Sequence, residues 1–228
     1  MPQPPAKQNS AGEVRAFLQR ARNLQTYSQG RPRLLFAIDA TASRQPTWDL
    51  ACELQADMFR ASADVASLSI QLAYYRGLGE LHLGHWENDA EALARAMSQV
   101  HCAAGRTQIA RLLRAALRQQ TSARARALVF IGDAMEESAA ELRELAGQCR
   151  LHSLPLFVFQ EGGDPVVQQS FQEMARISGG AYAHFDQRSA LRLRELLAAV
   201  ARFAAGGRAA LEGSQSAGAR RLLEQLSP

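Results

Sequence analysis

Three short runs in this chain, LLFAI at 34–38, ALVFI at 127–131 and LPLFVF at 154–159, are apolar at consecutive positions rather than at alternate ones. Successive side chains of a strand point to opposite faces of the sheet. A strand that is apolar throughout therefore has no face for water and must be covered twice, the condition of a strand inside a parallel sheet. Between and after these runs apolar residues recur at helical spacing. Leu50, Leu54 and Met58 form one such stripe, Ile109, Leu112, Leu113 and Ala116 a second, and Leu193, Leu196, Leu197, Val200 and Phe203 a third. Strands that alternate with helices join by crossovers, and the helices become the cover on both faces.

The remaining elements fit around this frame. SLSIQLAYY (67–75) and ELHLGHW (80–86) alternate and flank the turn GLG (77–79), which predicts an antiparallel hairpin. Helices are predicted from Pro46, over 88–100, 107–120, 136–149, 165–178 and 189–205, and a last short strand at 181–185. The predicted fold class is α/β: a doubly wound, mostly parallel six-stranded sheet with one antiparallel edge strand and helices on both faces. Residues 1–31 read as a disordered tail with a short amphipathic helix at 12–24, and residues 32–205 as the domain. Residues 206–228 read as a flexible Gly/Ser/Ala-rich tail ending in a short helix.

Composition narrows the function classes. With 47% hydrophobic residues the chain of 228 can build a full core. A formal charge of +4 is mild and argues against a dedicated nucleic-acid binder. Cys52, Cys102 and Cys149 form no CxxC pair and are odd in number, which argues against a disulfide framework and for a reducing, cytoplasmic setting. The polar, Pro-rich start MPQPPAKQNSAGE has no apolar signal core, and no apolar run reaches bilayer length. The expectation is a soluble protein of the cytoplasm that does not engage a membrane.

The chemistry concentrates after the first buried strand, in FAIDATASRQPTWD (36–49). Asp39, Thr41 and Ser43 alternate, so in extended chain their oxygens point the same way. Ligands of such sheets bind outside the carboxyl ends of the strands, where the winding reverses. Asp39 stands at that end of one long apolar strand and Asp133, in VFIGD, at that end of another. Thr107, in GRTQI, opens a helix and can present its hydroxyl to the same place. Carboxylates, hydroxyls and water are the donors a hard cation such as Mg²⁺ takes. Singly, each residue reads equally well as a helix cap or a turn residue; their coincidence in one crevice points to a metal site.

These residues give the sequence its resemblance to the von Willebrand factor A (VWA) family. That family's metal-ion-dependent adhesion site (MIDAS) is written DxSxS, then a distant Thr, then a distant Asp. Here the motif is Asp39-Ala40-Thr41-Ala42-Ser43, followed by Thr107 and Asp133. DATAS is similar to the DxTxS form of copine-type A domains. The resemblance spans roughly residues 32–205 and implies a Rossmann-like VWA fold with Asp39, Thr41, Ser43, Thr107 and Asp133 holding Mg²⁺, with Mn²⁺ or Ca²⁺ as substitutes. It implies no catalysis: a partner protein presents an Asp or Glu to the ion, with Trp48 and Arg106 as neighbouring contacts. It further implies a bacterial, cytoplasmic module that works beside an AAA+ ATPase system or stress-response proteins. The family often has Asp-Gly after the fourth strand, whereas Asp133 is followed by Ala134-Met135-Glu136-Glu137, whose two glutamates are predicted in a first helical turn.

Other clusters carry less. His82 and His85 face opposite sides of one strand, which argues against zinc, and Cys102 lacks the partners of a nucleophile. Arg111, Arg114 and Arg118 share a helical face and read first as a solvated surface and second as a patch for an acidic partner or RNA; Glu161-Gly162-Gly163-Asp164 reads first as a turn at a strand's carboxyl end and second as lining of the binding face. Two competing functions stay open: a metal-dependent hydrolase or phosphatase using the same carboxylates, against which stands the lack of a second metal cluster, and a metal-independent scaffold or RNA-binding VWA protein.

Overall fold

A computed structural model describes residues 31–44, 68–185 and 190–226. Six strands form one sheet: β1 (Arg33–Asp39), β2 (Ser69–Arg76), β3 (Glu80–Glu87), β4 (Ala125–Gly132), β5 (Leu156–Glu161) and β6 (Ala181–Phe185). Their order across the sheet is β3-β2-β1-β4-β5-β6. β1 pairs in parallel with both β2 and β4, and β3 joins β2 antiparallel at the edge. The predicted doubly wound sheet is therefore present, and its winding reverses at β1, between β2 and β4.

The consecutive apolar runs behave as their pattern demands. From β1, Leu34, Phe36 and Ile38 enter one core while Leu35 and Ala37 enter the other. Val129 and Ile131 of β4 and Phe157 and Phe159 of β5 join the first core; Leu128 and Phe130, with Leu156 and Val158, join the second. The first core is roofed by α1 (Ala90–Ser98), α5 (Ala190–Glu212) and α6 (Ala217–Leu223). The second is roofed by α2 (Ile109–Gln119), α3 (Ala139–Leu151) and α4 (Pro165–Ser178). Each fully buried Leu, Ile or Phe contributes about 1.5–3 kcal/mol from leaving water, so the double layer dominates stability. The sequence encodes the start of α4 locally: Asp164 accepts hydrogen bonds from the amides of Val166 and Val167, and Pro165 fills the first helical position.

Two segments differ from expectation. Helix α3 begins at Ala139 behind Ser138, so Glu136 and Glu137 precede the helix and do not sit in its first turn. The stretch read as a flexible tail after residue 205 is folded onto the domain. α5 continues to Glu212 across a bend at Gly207, whose φ of 69° suits glycine. α6 then packs back against α5 with Ala219 and Leu222 buried. Gln225 follows, donating to the Tyr182 carbonyl at 3.0 Å and accepting from the Tyr182 amide at 2.8 Å. That side-chain amide imitates the next strand at the β6 edge, where open backbone groups would otherwise invite pairing. Periodicity alone did not reveal this closure, because short Ala/Gly-rich helices carry little apolar signal. Among the described residues, no helix is long and apolar enough to cross a membrane.

Candidate functional site

The carboxyl ends of β1, β4 and β5 lie side by side, and each ends in an acidic residue: Asp39, Asp133 one residue past β4, and Glu161. The pairing of Ile38 with Ile131 sets Asp39 level with Gly132. A Cβ on Gly132 would stand 2.7 Å from Phe130 Cζ, so glycine makes room for the Phe130 ring, and the same Cβ would meet Asp39 Cβ at an ordinary contact distance of 3.6 Å. The two aspartates sense each other directly: the charge of Asp133 is among the influences that raise the Asp39 pKa.

Asp39 is 0% exposed and built into the fold. Its Oδ1 accepts from the Thr41 amide at 2.7 Å and its Oδ2 from the Tyr75 hydroxyl at 2.9 Å. Tyr75 arrives there by register, since β2 pairs it with Asp39. Burial pushes the Asp39 carboxyl above the ordinary aspartate range, the bonds from Thr41 and Tyr75 pull it back, and Asp133 adds to the rise. The Tyr75 hydroxyl is held well above its usual range, chiefly by burial and then by the charge of Asp39, so it stays a proton donor.

Beyond Asp39 the chain turns through a short 3-10 segment, Ala42–Arg44. Thr41 is buried, Ser43 is exposed, and their hydroxyl oxygens approach to 3.1 Å. The two loop hydroxyls meet through this turn and not through the extended alternation expected of the spacing. Ala40 and Thr41 also anchor the segment that leads toward α2: Ala103 donates to the Ala40 carbonyl at 3.0 Å and forms an isolated bridge with Thr41. Past the end of β4, Asp133 Oδ1 is buried without a hydrogen-bond partner among the described residues. A buried carboxylate oxygen without a donor is costly unless a cation faces it.

Thr107 is engaged differently from expectation. It does not cap α2: Gln108 holds the cap position, without a side-chain cap bond. The Thr107 hydroxyl donates to Glu137 Oε2 at 2.6 Å and accepts from the Glu136 amide at 2.8 Å, and the Thr107 amide donates to Glu136 Oε2 at 3.0 Å. Glu137 Oε1 then accepts from the Ala110 amide at 3.2 Å, capping α2 from another loop. Thr107 is thereby clamped to the segment that follows Asp133. Arg106, exposed beside it, bonds through its amide to the Gly77 carbonyl at 3.2 Å. Trp48 lies outside the described residues.

Sequence reasoning missed Arg44 and reads Glu161 first as a turn residue, whereas Glu161 is the last residue of β5. Arg44 is 1% exposed and pairs with Glu161 at the end of β5. Burial lowers its pKa, and the charges of Asp133 and then Asp39 oppose that fall, so the guanidinium shares the electrostatic field of both aspartates. The signal was in DATASR, where a cation directly follows three oxygen donors, but its destination on β5 is a tertiary fact. The arginine stripe resolves into local contacts: Arg114 pairs with Glu141 at 2.5 Å, and Arg111 bonds Gln108 and the Gly79 carbonyl. Among the described residues, no group of three or more His, Cys, Asp or Glu is placed to hold a metal ion.

No family model matches the chain, and no curated protein does. Solved structures do. A von Willebrand factor type A protein from Catenulispora acidiphila aligns with TM-score 0.56 at 16% identity, over 74% of this chain and 42% of that one. The SpRpn10 VWA domain aligns with TM-score 0.54 at 11% identity, over 68% of this chain and 87% of that one. Proximal thread matrix protein 1 from the mussel byssus, solved with a zinc-occupied MIDAS motif, aligns with TM-score 0.56 at 12% identity, over 74% of this chain and 46% of that one. The chain thus spans under half the length of two of these three proteins, and identities this low establish the fold alone: it is that of VWA domains.

Proposed function

We propose that this chain is a non-catalytic protein-binding module that takes a divalent cation, Mg²⁺ by preference with Mn²⁺ or Ca²⁺ as substitutes, in the crevice between β1 and β4. The observation that carries the reading is the Oδ1 of Asp133, buried without a hydrogen-bond partner among the described residues, whose charge reaches Asp39, while the turn after Asp39 brings the hydroxyls of Thr41 and Ser43 together. Asp39, Thr41, Ser43 and Asp133 supply the oxygen donors such ions prefer. Thr107 spends its proton on Glu137 and one lone pair on the Glu136 amide, which leaves one lone pair for the same ion. A hard cation, when bound, offers an open position to a carboxylate from a partner protein.

The chain's own groups prepare that recognition. Tyr75 and the Thr41 amide fix the Asp39 carboxylate before any ion arrives. The Glu136–Glu137 clamp holds Thr107 and the start of α2 against the loop after Asp133. Exposed Ser43 marks the mouth, and exposed Arg106 stands where it can meet an acidic partner. Support for a VWA-type interaction role comes from the fold and from the zinc-occupied site of the mussel relative in structure.

Titration calorimetry of the full chain with Mn²⁺ tests the reading. One site is expected, lost in Asp133→Asn with the circular dichroism spectrum unchanged. Absence of binding by the natural chain, or undiminished binding by the variant, would overturn it.

A further inference from the structure

The crevice contains a cation of its own. Arg44 leaves the turn after β1, yet pairs with Glu161 at the end of β5. β4 lies between those strands, and two strand spacings amount to about 10 Å. Arg44 also feels the charges of Asp133 and Asp39, at the ends of β4 and β1, so its guanidinium lies within reach of all three strand ends. Its burial puts the guanidinium inside the crevice and not at its rim. Three carboxylates, Asp39, Asp133 and Glu161, thus face one tethered positive charge, and an isolated buried carboxylate is strongly disfavoured.

We propose that Arg44 is the resident counter-cation of this site: it neutralises Asp39 and Asp133 when no divalent ion is present and sets the affinity for one by competing with it, with Glu161 as the partner that draws it aside. The inference rests on the metal-binding reading above. It assigns a role to two residues that the oxygen-donor motif does not include. A divalent cation entering beside Asp133 meets repulsion from the guanidinium, relieved to the extent that Glu161 holds Arg44 away. Ion occupancy and the Arg44–Glu161 pair are then linked, and each change in one shifts the other.

The prediction separates a competing cation from a merely structural arginine because two substitutions act in opposite directions. In Mn²⁺ titrations of the full chain, Arg44→Gln is expected to tighten binding at least about tenfold, equal to about 1.4 kcal/mol. Glu161→Gln is expected to weaken it about threefold or more, since Arg44 then settles on the aspartates. Thermal unfolding adds a second readout. In EDTA, Arg44→Gln unfolds several degrees below the natural chain, and saturating Mn²⁺ removes most of that deficit. Unchanged affinity in both variants, weaker binding by a folded Arg44→Gln, or a deficit that Mn²⁺ leaves intact would each overturn the role of Arg44 while leaving the natural chain's own binding as it was measured. Mn²⁺ binding by Arg44→Gln but not by the natural chain supports Arg44 as the resident cation and overturns metal dependence for the natural chain. Failure of both to bind overturns both readings. Should Arg44→Gln fail to fold, Glu161→Gln decides: weakened binding supports the competition, and unchanged binding rejects it.

Discussion

The two flanks of this sheet are finished in opposite ways. At the β6 edge, α6 and Gln225 close the structure: apolar side chains are buried, and both free backbone groups of Tyr182 are answered by one side-chain amide. At the ends of β1, β4 and β5 the chain does the reverse. It gathers three carboxylates, leaves Asp133 Oδ1 without a donor among the described residues, and buries an arginine among them. Natural sequences depart from local consistency mainly at functional sites. The contrast teaches where to look: the first flank is explained by stability alone, and the second is not.

The contrast breaks if substitutions on the closed flank disturb ion binding or if those in the crevice act only through stability. The largest effect is expected from Leu222→Ala, which opens a cavity under α6 and should cost about 2–5 kcal/mol, read from the denaturant midpoint, with Mn²⁺ affinity unchanged. Asp39→Ala comes next: it strands the Tyr75 hydroxyl and the Thr41 amide, costs about 1–3 kcal/mol, and abolishes Mn²⁺ binding in calorimetry.

Asp39→Asn sharpens the same point through pH. Because the folded-state pKa of Asp39 is raised, chiefly by burial, the folded chain holds that proton more tightly than the unfolded one. Its contribution to stability is therefore complete below the ordinary aspartate pKa and is lost as pH rises through the raised value. Unfolding in EDTA from acidic to neutral pH should show the natural chain losing ground relative to Asp39→Asn, with Mn²⁺ reversing the loss for the natural chain.

These residues also show how much the sequence could reveal. The consecutive apolar runs made the doubly covered sheet legible, because no other arrangement hides both faces of LLFAI, ALVFI and LPLFVF. Asp39 and Asp133 were placed at one end of the sheet by the same logic, and β1 and β4 are indeed neighbours. Tyr75 and Arg44 were not legible as members of the crevice, and Glu161 only as a residue at a strand's carboxyl end. Tyr75 looked like one more strand residue until the β1–β2 register set it against Asp39, and the Arg44–Glu161 pair joins residues far apart in the chain. Glu136 and Glu137 were assigned to a helix because acidic residues favour first turns, whereas their bonds to Thr107 hold them before it.

Smaller effects refine the picture. Gln225→Ala removes two exposed hydrogen bonds and should cost less than about 1 kcal/mol, but it uncovers the β6 edge, so concentration-dependent association by light scattering is the readout to follow. Glu137→Gln keeps the shape of the clamp and removes its charge. Its expected cost is about 0.5 kcal/mol, consistent with weakening one charged contact at a helix start, seen as faster amide exchange in the first turn of α2.

The most direct test is a crystal of the full chain soaked in Mn²⁺ and measured at the manganese absorption edge. The account predicts one strong anomalous peak at the ends of β1 and β4, about 2 Å from oxygens of the set Asp39, Thr41, Ser43, Thr107 and Asp133, with the Arg44 guanidinium held on Glu161 as it is here. A crevice without anomalous signal, filled by Arg44 in direct contact with Asp133, would contradict it.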